Sequence, residues 1–165
     1  MALRITIAAL GAALGLSLAG GVLAADPAAP QSAPTPGGKA VLMRQAHYKE
    51  LNRAFGAING ELRKETPDKA AIADAAGRMR ALATDLPGWF PKGSGPEAGV
   101  KTQAKAEIWT DAAGFATAVT RLQAETGKLQ DAAATGDLEA VKAQARAAGG
   151  ACKACHDSYR GPEQH

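Results

Sequence analysis

From Lys39 onward, apolar residues recur every third or fourth position, the spacing of one face of a helix. Tyr48, Leu51, Phe55, Ile58 and Leu62 make the first seam, which Val41 and Arg44 extend backwards. Pro67 stops it, and Thr66-Pro67 has the residue types of a cap and first position for the next helix. Ile72, Ala75, Ala76, Met79, Leu82 and Leu86 make the second seam, closed by Pro87-Gly88. A loop to about Lys101 follows, with Trp89-Phe90-Pro91 and Gly93-Ser94-Gly95-Pro96 in it. The third seam is the most regular: Ile108, Ala112, Phe115, Val119, Leu122, Thr126, Leu129 and Ala133. Gly136 breaks it, and Asp137 is placed to cap a fourth helix carrying Leu138, Val141, Ala145, Ala148, Cys152, Cys155 and Tyr159. That helix stops at Gly161-Pro162. Four such helices with short connections predict an all-α, antiparallel four-helix bundle. No strand pattern competes, and no internal repeat is visible.

The residues before Lys39 carry no such period. Arg4 followed by the uncharged run Ile5 to Leu18 and by Val22-Leu23-Ala24 reads as an export signal over residues 1–24, cleaved after Ala24 or Ala25. A retained anchor is the alternative, but the run is short and rich in Gly and Ala for a membrane span. Residues 25–38 include DPAAPQSAPTPGG, with four prolines and no large apolar side chain, and read as a disordered linker. The bundle is then expected over 39–165, in an extracytoplasmic compartment that the signal makes periplasmic.

Composition sharpens the picture. The 165 residues carry 19 Lys+Arg against 16 Asp+Glu, a balance that argues against bulk electrostatic binding of nucleic acid. Alanine supplies 40 residues, which excludes an all-β fold. Aromatics make up only 4%. Either small aliphatics fill the core, or something other than an amino acid does.

The two cysteines answer that. Cys152 and Cys155 sit near the C-terminal end of the last helix, where the helix dipole disfavours a thiolate, and no βαβ context supports a thioredoxin-like redox pair. Structural zinc fails on ligand count, with only His47 and His165 left as further nitrogen donors. Cys152-Lys153-Ala154-Cys155-His156 has the spacing of a haem c attachment site. Two thiols add to the haem vinyl groups, and the next residue, His156, is placed as proximal axial ligand. A disulfide or another metal site is the alternative. Buried haem would also replace several aromatics, at about 25 cal/mol per Å² removed from water.

An attachment motif on the last helix of a four-helix bundle resembles the cytochrome c-prime family. The resemblance covers about Val41 to Arg160 and rests on Arg44-Gln45-Ala46-His47-Tyr48, Glu107-Ile108-Trp109 and Cys152 through Arg160. It implies one covalent haem c. It also implies that Arg44 and Gln45 contact haem propionates, that Tyr48 faces the distal side of the iron, and that Arg160 lies beside the proximal face. A buried Arg44 without an anion would be costly, which favours the propionate role. Arg160 equally suits a helix C-terminus. Low-spin family members carry methionine at the distal position; Tyr48 departs from that and points to the high-spin, five-coordinate branch. Tyr48 also fits a plain core aromatic, and His47 is a candidate sixth ligand.

Three functions remain open: binding a small gas such as nitric oxide or carbon monoxide, carrying electrons to a periplasmic redox partner, and a weak peroxidase activity with Tyr48 or His47 as a thin acid–base set. The distal tyrosine favours gas binding over a low-spin electron carrier with a sixth protein ligand, and a non-enzymatic role over the peroxidase. A homodimer is expected through the first two helices, since Leu42, Met43, Ala46, Ala54 and Ala57 form a second apolar stripe on the first.

Overall fold

The computed structural model describes residues 34–162. The export signal and most of the linker lie outside the described residues. Four long helices form the body: α1 Pro36–Glu61, α2 Lys69–Asp85, α4 Ala112–Thr135 and α5 Leu138–Tyr159, with the single turn α3 Glu107–Thr110 before α4. Among the described residues there is no strand beyond an isolated antiparallel bridge between Ala104 and Arg160.

The helix starts correct three expectations. α1 begins at Pro36, inside the stretch expected to be linker. Thr35 accepts from the Gly38 amide, and Pro36 takes a position where no amide hydrogen is needed, so proline opens this helix instead of preventing it. α2 is capped by Asp68, whose Oδ1 accepts from the Ala70 and Ala71 amides, so Thr66-Pro67 lies outside it. The third seam is not one helix. Asp111 leaves the helical region with φ −114° and ψ 59°, caps α4 through the Gly114 amide, and sets Ile108 on α3. Gly136, at φ 70°, and Asp137 behave as expected and turn the chain from α4 into α5.

α1 packs on α2, α2 on α4 and α4 on α5, while α1 meets α5 only sparsely. A groove on that α1–α5 seam is lined by Phe55, Leu62, Ala145 and Gly149, with Arg63 and Arg146 at its sides. The core has two parts. At one end Leu51, Ile58, Ile72, Met79, Leu129 and Val141 interlock with alanines from all four long helices. At the other, Leu86, Trp89, Ile108, Phe115, Leu122 and Tyr159 form a second cluster. Ala54 belongs to the first cluster at 4% exposure, which removes it from the outer stripe on α1. Its place one turn from Ile58 puts it on the same buried face of α1.

Candidate functional site

Cys152 and Cys155 lie within one turn of α5, and both are half-buried free thiols. They pack against the second cluster together with Tyr48, Leu82 and Phe90. Burial pushes both thiols above their ordinary range, and for Cys155 the neighbouring Cys152 adds to the effect. The pair is therefore held protonated, the opposite of a redox dithiol, which works as a thiolate. His156 follows on the solvent side. Burial, with Arg160 second, lowers its imidazole below the usual range against the opposing pull of Asp157, so the ring favours its neutral, ligating form.

The end of α5 is fixed by the segment before α3. The Lys105 amide donates to the Tyr159 carbonyl at 3.0 Å and the Gly161 amide to the Gln103 carbonyl at 2.7 Å. Lys105 Nζ donates to the carbonyls of Asp157 and Ser158, satisfying acceptors that a helix end leaves open. Arg160 is exposed and donates from Nε to Gln103 Oε1 at 2.8 Å. Tyr159 donates its hydroxyl to Asp111 Oδ2 at 2.8 Å, tying α5 to the cap of α4.

Tyr48 faces this cluster from α1. Its ring stands edge-on to Trp89 at 5.3 Å and to Phe90 at 6.5 Å. Burial first, and the two nearby cysteines with it, raise the phenol well above its ordinary range, against the opposing charge of Arg44. The hydroxyl stays neutral. His47, the candidate sixth ligand, stacks on Trp89 with ring centres 4.8 Å apart. Met79 is in the aliphatic cluster and Met43 is exposed at 55%, so neither described methionine takes part in the cluster around the thiols.

Arg44 is 3% exposed, and its partners within the chain are oxygens of the loop after α2. Nη1 donates to the Trp89 carbonyl at 3.2 Å and Ser94 Oγ at 3.1 Å. Nη2 donates to the Ser94 carbonyl at 3.0 Å and Thr102 Oγ1 at 3.0 Å. The guanidinium also sits over the Phe90 ring, 4.6 Å from its centre. The premise that a buried arginine here requires an anion is thus corrected: neutral loop oxygens satisfy it. Gln45 likewise uses Nε2 on the Lys101 carbonyl at 2.8 Å. The partners Trp89, Phe90, Ser94 and Thr102 were given no role at the site from the sequence. The signal was Trp89-Phe90, two large apolar residues inside a loop rich in Gly and Pro.

These residues fit a covalent haem. Two protonated, half-buried thiols at the required spacing lie beside Tyr48, Leu82 and Phe90, with a neutral histidine next in line and a wall of partly buried aromatic rings. The Tyr48, Phe90, Cys152 and Cys155 side chains pack on the core without closing it.

Comparison with known proteins agrees. Residues 39–160 match the family model described as cytochrome C'. Cytochrome c' of Rubrivivax gelatinosus is 33% identical over 123 residues, covering 74% of this chain and 95% of the relative. A crystal structure of a cytochrome c' with ligand-controlled dimer dissociation superposes with a TM-score of 0.74 at 29% identity, over 79% of this chain and 100% of that one. Two structures of Alcaligenes xylosoxidans cytochrome c prime variants, a nitric oxide complex and a carbon monoxide complex, give TM-scores of 0.69 and 0.70, both at 30% identity. They cover 77% and 79% of this chain and 97% and 100% of theirs. With its four-helix bundle, its Cys152–His156 motif and this match over nearly all the described residues, the chain belongs to the cytochrome c' family, whose members bind one covalent haem c.

Proposed function

We propose that this chain is a periplasmic cytochrome that presents a five-coordinate haem c to small gases, nitric oxide and carbon monoxide among them. The haem, when bound, supplies an iron that takes a gas or passes an electron. Cys152 and Cys155 would hold it through two thioether bonds, an addition of each thiol to a vinyl group in which nothing leaves. His156 would supply its neutral nitrogen to the iron, with Arg160 close by on the same helix end. Tyr48 would be the residue beside the gas, backed by Trp89 and Phe90.

The observation that carries this reading is the distal set itself. Tyr48 is kept neutral by burial, His47 is stacked on Trp89, and Met43 and Met79 lie elsewhere. A neutral phenol is a weak ligand and a poor base, which supports gas binding over both a sixth protein ligand and peroxidase chemistry. The partly exposed cysteines and exposed His156 leave the same site able to exchange electrons with a redox partner. The periplasmic reading rests on the export signal over residues 1–24.

Absorption spectra of the ferric and ferrous protein, with and without carbon monoxide, test this. Broad high-spin bands that sharpen on adding the gas are expected. Sharp, split low-spin bands in the gas-free ferrous protein would overturn the reading, and a His47→Ala variant would then identify the bound residue.

The dimer belongs to the same proposal. Leu42 and Met43, 47% and 55% exposed, are the two large hydrophobics left open among the described residues, and both lie on α1. Sedimentation at micromolar concentration decides it. A mass of one chain plus one haem that does not grow with concentration rejects the dimer.

A further inference from the structure

The first three turns of α1 do more than continue a helix. They grip the loop that follows α2. The Thr35 hydroxyl donates to the Ala98 carbonyl, and Gln45 donates to the Lys101 carbonyl. A Cβ on Gly37 would collide with the Gly93 carbonyl, so the helix and the loop backbone approach as closely as glycine allows. At the centre of this grip is Arg44. Its four Nη hydrogen bonds reach Trp89, Ser94 twice and Thr102, three points spread across the loop. Ser94 is fully buried and Thr102 8% exposed, so these bonds are shielded from competing water. The loop side is itself braced: Ser94 Oγ donates to the Pro91 carbonyl, and Thr102 Oγ1 accepts from the Ala104 amide.

The residues this clamp holds are the ones that touch Tyr48. Trp89 gives Arg44 its carbonyl and gives Tyr48 and His47 its ring. Phe90 lies under the guanidinium, edge-on to Tyr48, and 4.9 Å from Phe115. Arg44 is one helical turn before Tyr48 on α1. One rigid helix therefore carries both the residue that faces the thiols and the residue that fixes the wall behind it.

We propose that Arg44 is the positioning residue of the distal pocket: through the 89–102 loop it fixes the Trp89–Phe90 wall against Tyr48 and so sets how readily a small gas enters. This rests on Tyr48 being the distal residue. The resemblance gives the same residue a haem propionate as partner, and the measurements below separate the two roles.

Three measurements on the holoprotein test it: hydrogen exchange of the loop amides, the association rate of carbon monoxide after flash photolysis, and the haem midpoint potential. The variants act from both sides of the clamp, Arg44→Met and Arg44→Lys on the helix, Thr102→Val and Ser94→Ala on the loop. Loss of a buried charged hydrogen bond is expected to raise loop opening about tenfold, read directly as faster exchange. Thr102→Val and Ser94→Ala should change the carbon monoxide rate in the same direction as Arg44→Met and leave the potential where it was. Arg44→Lys should fall between wild type and Arg44→Met, because a point charge cannot reproduce the two-sided fork.

Two results overturn the proposal. In one, the loop exchanges faster but the gas rate is unchanged. In the other, Arg44 variants shift the potential while the loop-side variants change nothing, as a propionate contact would require. If Arg44→Met fails to fold, the two loop-side variants decide the matter. A low-spin wild-type spectrum would instead remove the distal reading of Tyr48, a failure distinct from either.

Discussion

At the end of the bundle where α1 runs into α2, Ile58, Ile72, Met79, Leu129 and Val141 are no more than 1% exposed. At the opposite end Tyr48, Phe90, Cys152 and Cys155 pack on the same long helices and remain partly open. The first end is built from aliphatics and alanines, small side chains that let four helices close on one another. The second holds six of the chain's seven aromatics, Tyr48, Trp89, Phe90, Trp109, Phe115 and Tyr159, and still does not finish its own core. The aliphatic end completes itself. The aromatic end leaves the two thiols of the attachment motif half-buried at its edge. The scarcity of aromatics in the composition is thus a matter of distribution: the aliphatic end needs almost none, and the end that carries the motif has nearly all of them.

The sharpest way to break the comparison is to remove the attachment. Replacing both cysteines, Cys152→Ala with Cys155→Ala, should abolish haem that survives acid–acetone extraction, seen by mass spectrometry as loss of one added haem. Near-ultraviolet circular dichroism from the aromatic end should collapse while far-ultraviolet helicity persists. Equal loss of both would mean that the aliphatic end does not stand alone.

The reverse experiment strikes the other end. Ile58→Ala opens a void among fully buried neighbours and should lower stability by about 3 kcal/mol in denaturant titration, with the haem spectrum unchanged. A changed spectrum would show the two ends to be one cooperative unit.

Asp137→Ala removes the cap that Glu139 and Ala140 use and should cost about 1 kcal/mol, again without spectral effect.

The smallest effect is a pH dependence confined to the aromatic end. Its hydrogen bond to Asp111 raises the Tyr159 phenol from 10.0 to about 12, with burial adding to it. The folded protein therefore holds this proton more tightly than the unfolded chain. The resulting stabilisation is fully present below the unfolded value and is lost as pH rises toward the folded one. Thermal melts should show wild type losing stability between those two values, and Tyr159→Phe should lack that component.

Local signals were legible in the chain. The three-four spacing gave four helices, and Gly136 and Asp137 marked one turn correctly because a left-handed cap and an Asp N-cap act within a few residues. Thr66-Pro67 misled because Asp68 is an equally good cap two residues after Thr66, and only the fold chose between them. Pro36 misled because proline's exclusion from helices does not extend to the first turn. Cys152, Cys155 and His156 stand out in the sequence because the spacing of that motif is set within about one helical turn, and α5 carries all three.

What the sequence determined by itself is therefore whatever acts at short range: the helical period, most of the caps and the Cys-x-x-Cys-His motif. What only the tertiary structure decided is the company those residues keep. Arg44 meets Trp89 and Thr102 across 45 and 58 residues of chain, and Tyr159 meets Asp111 across 48. No local preference reports such a pairing, because a buried guanidinium accepts any well-placed oxygen, and whether that oxygen is a propionate or a loop carbonyl depends on where the loop is laid down.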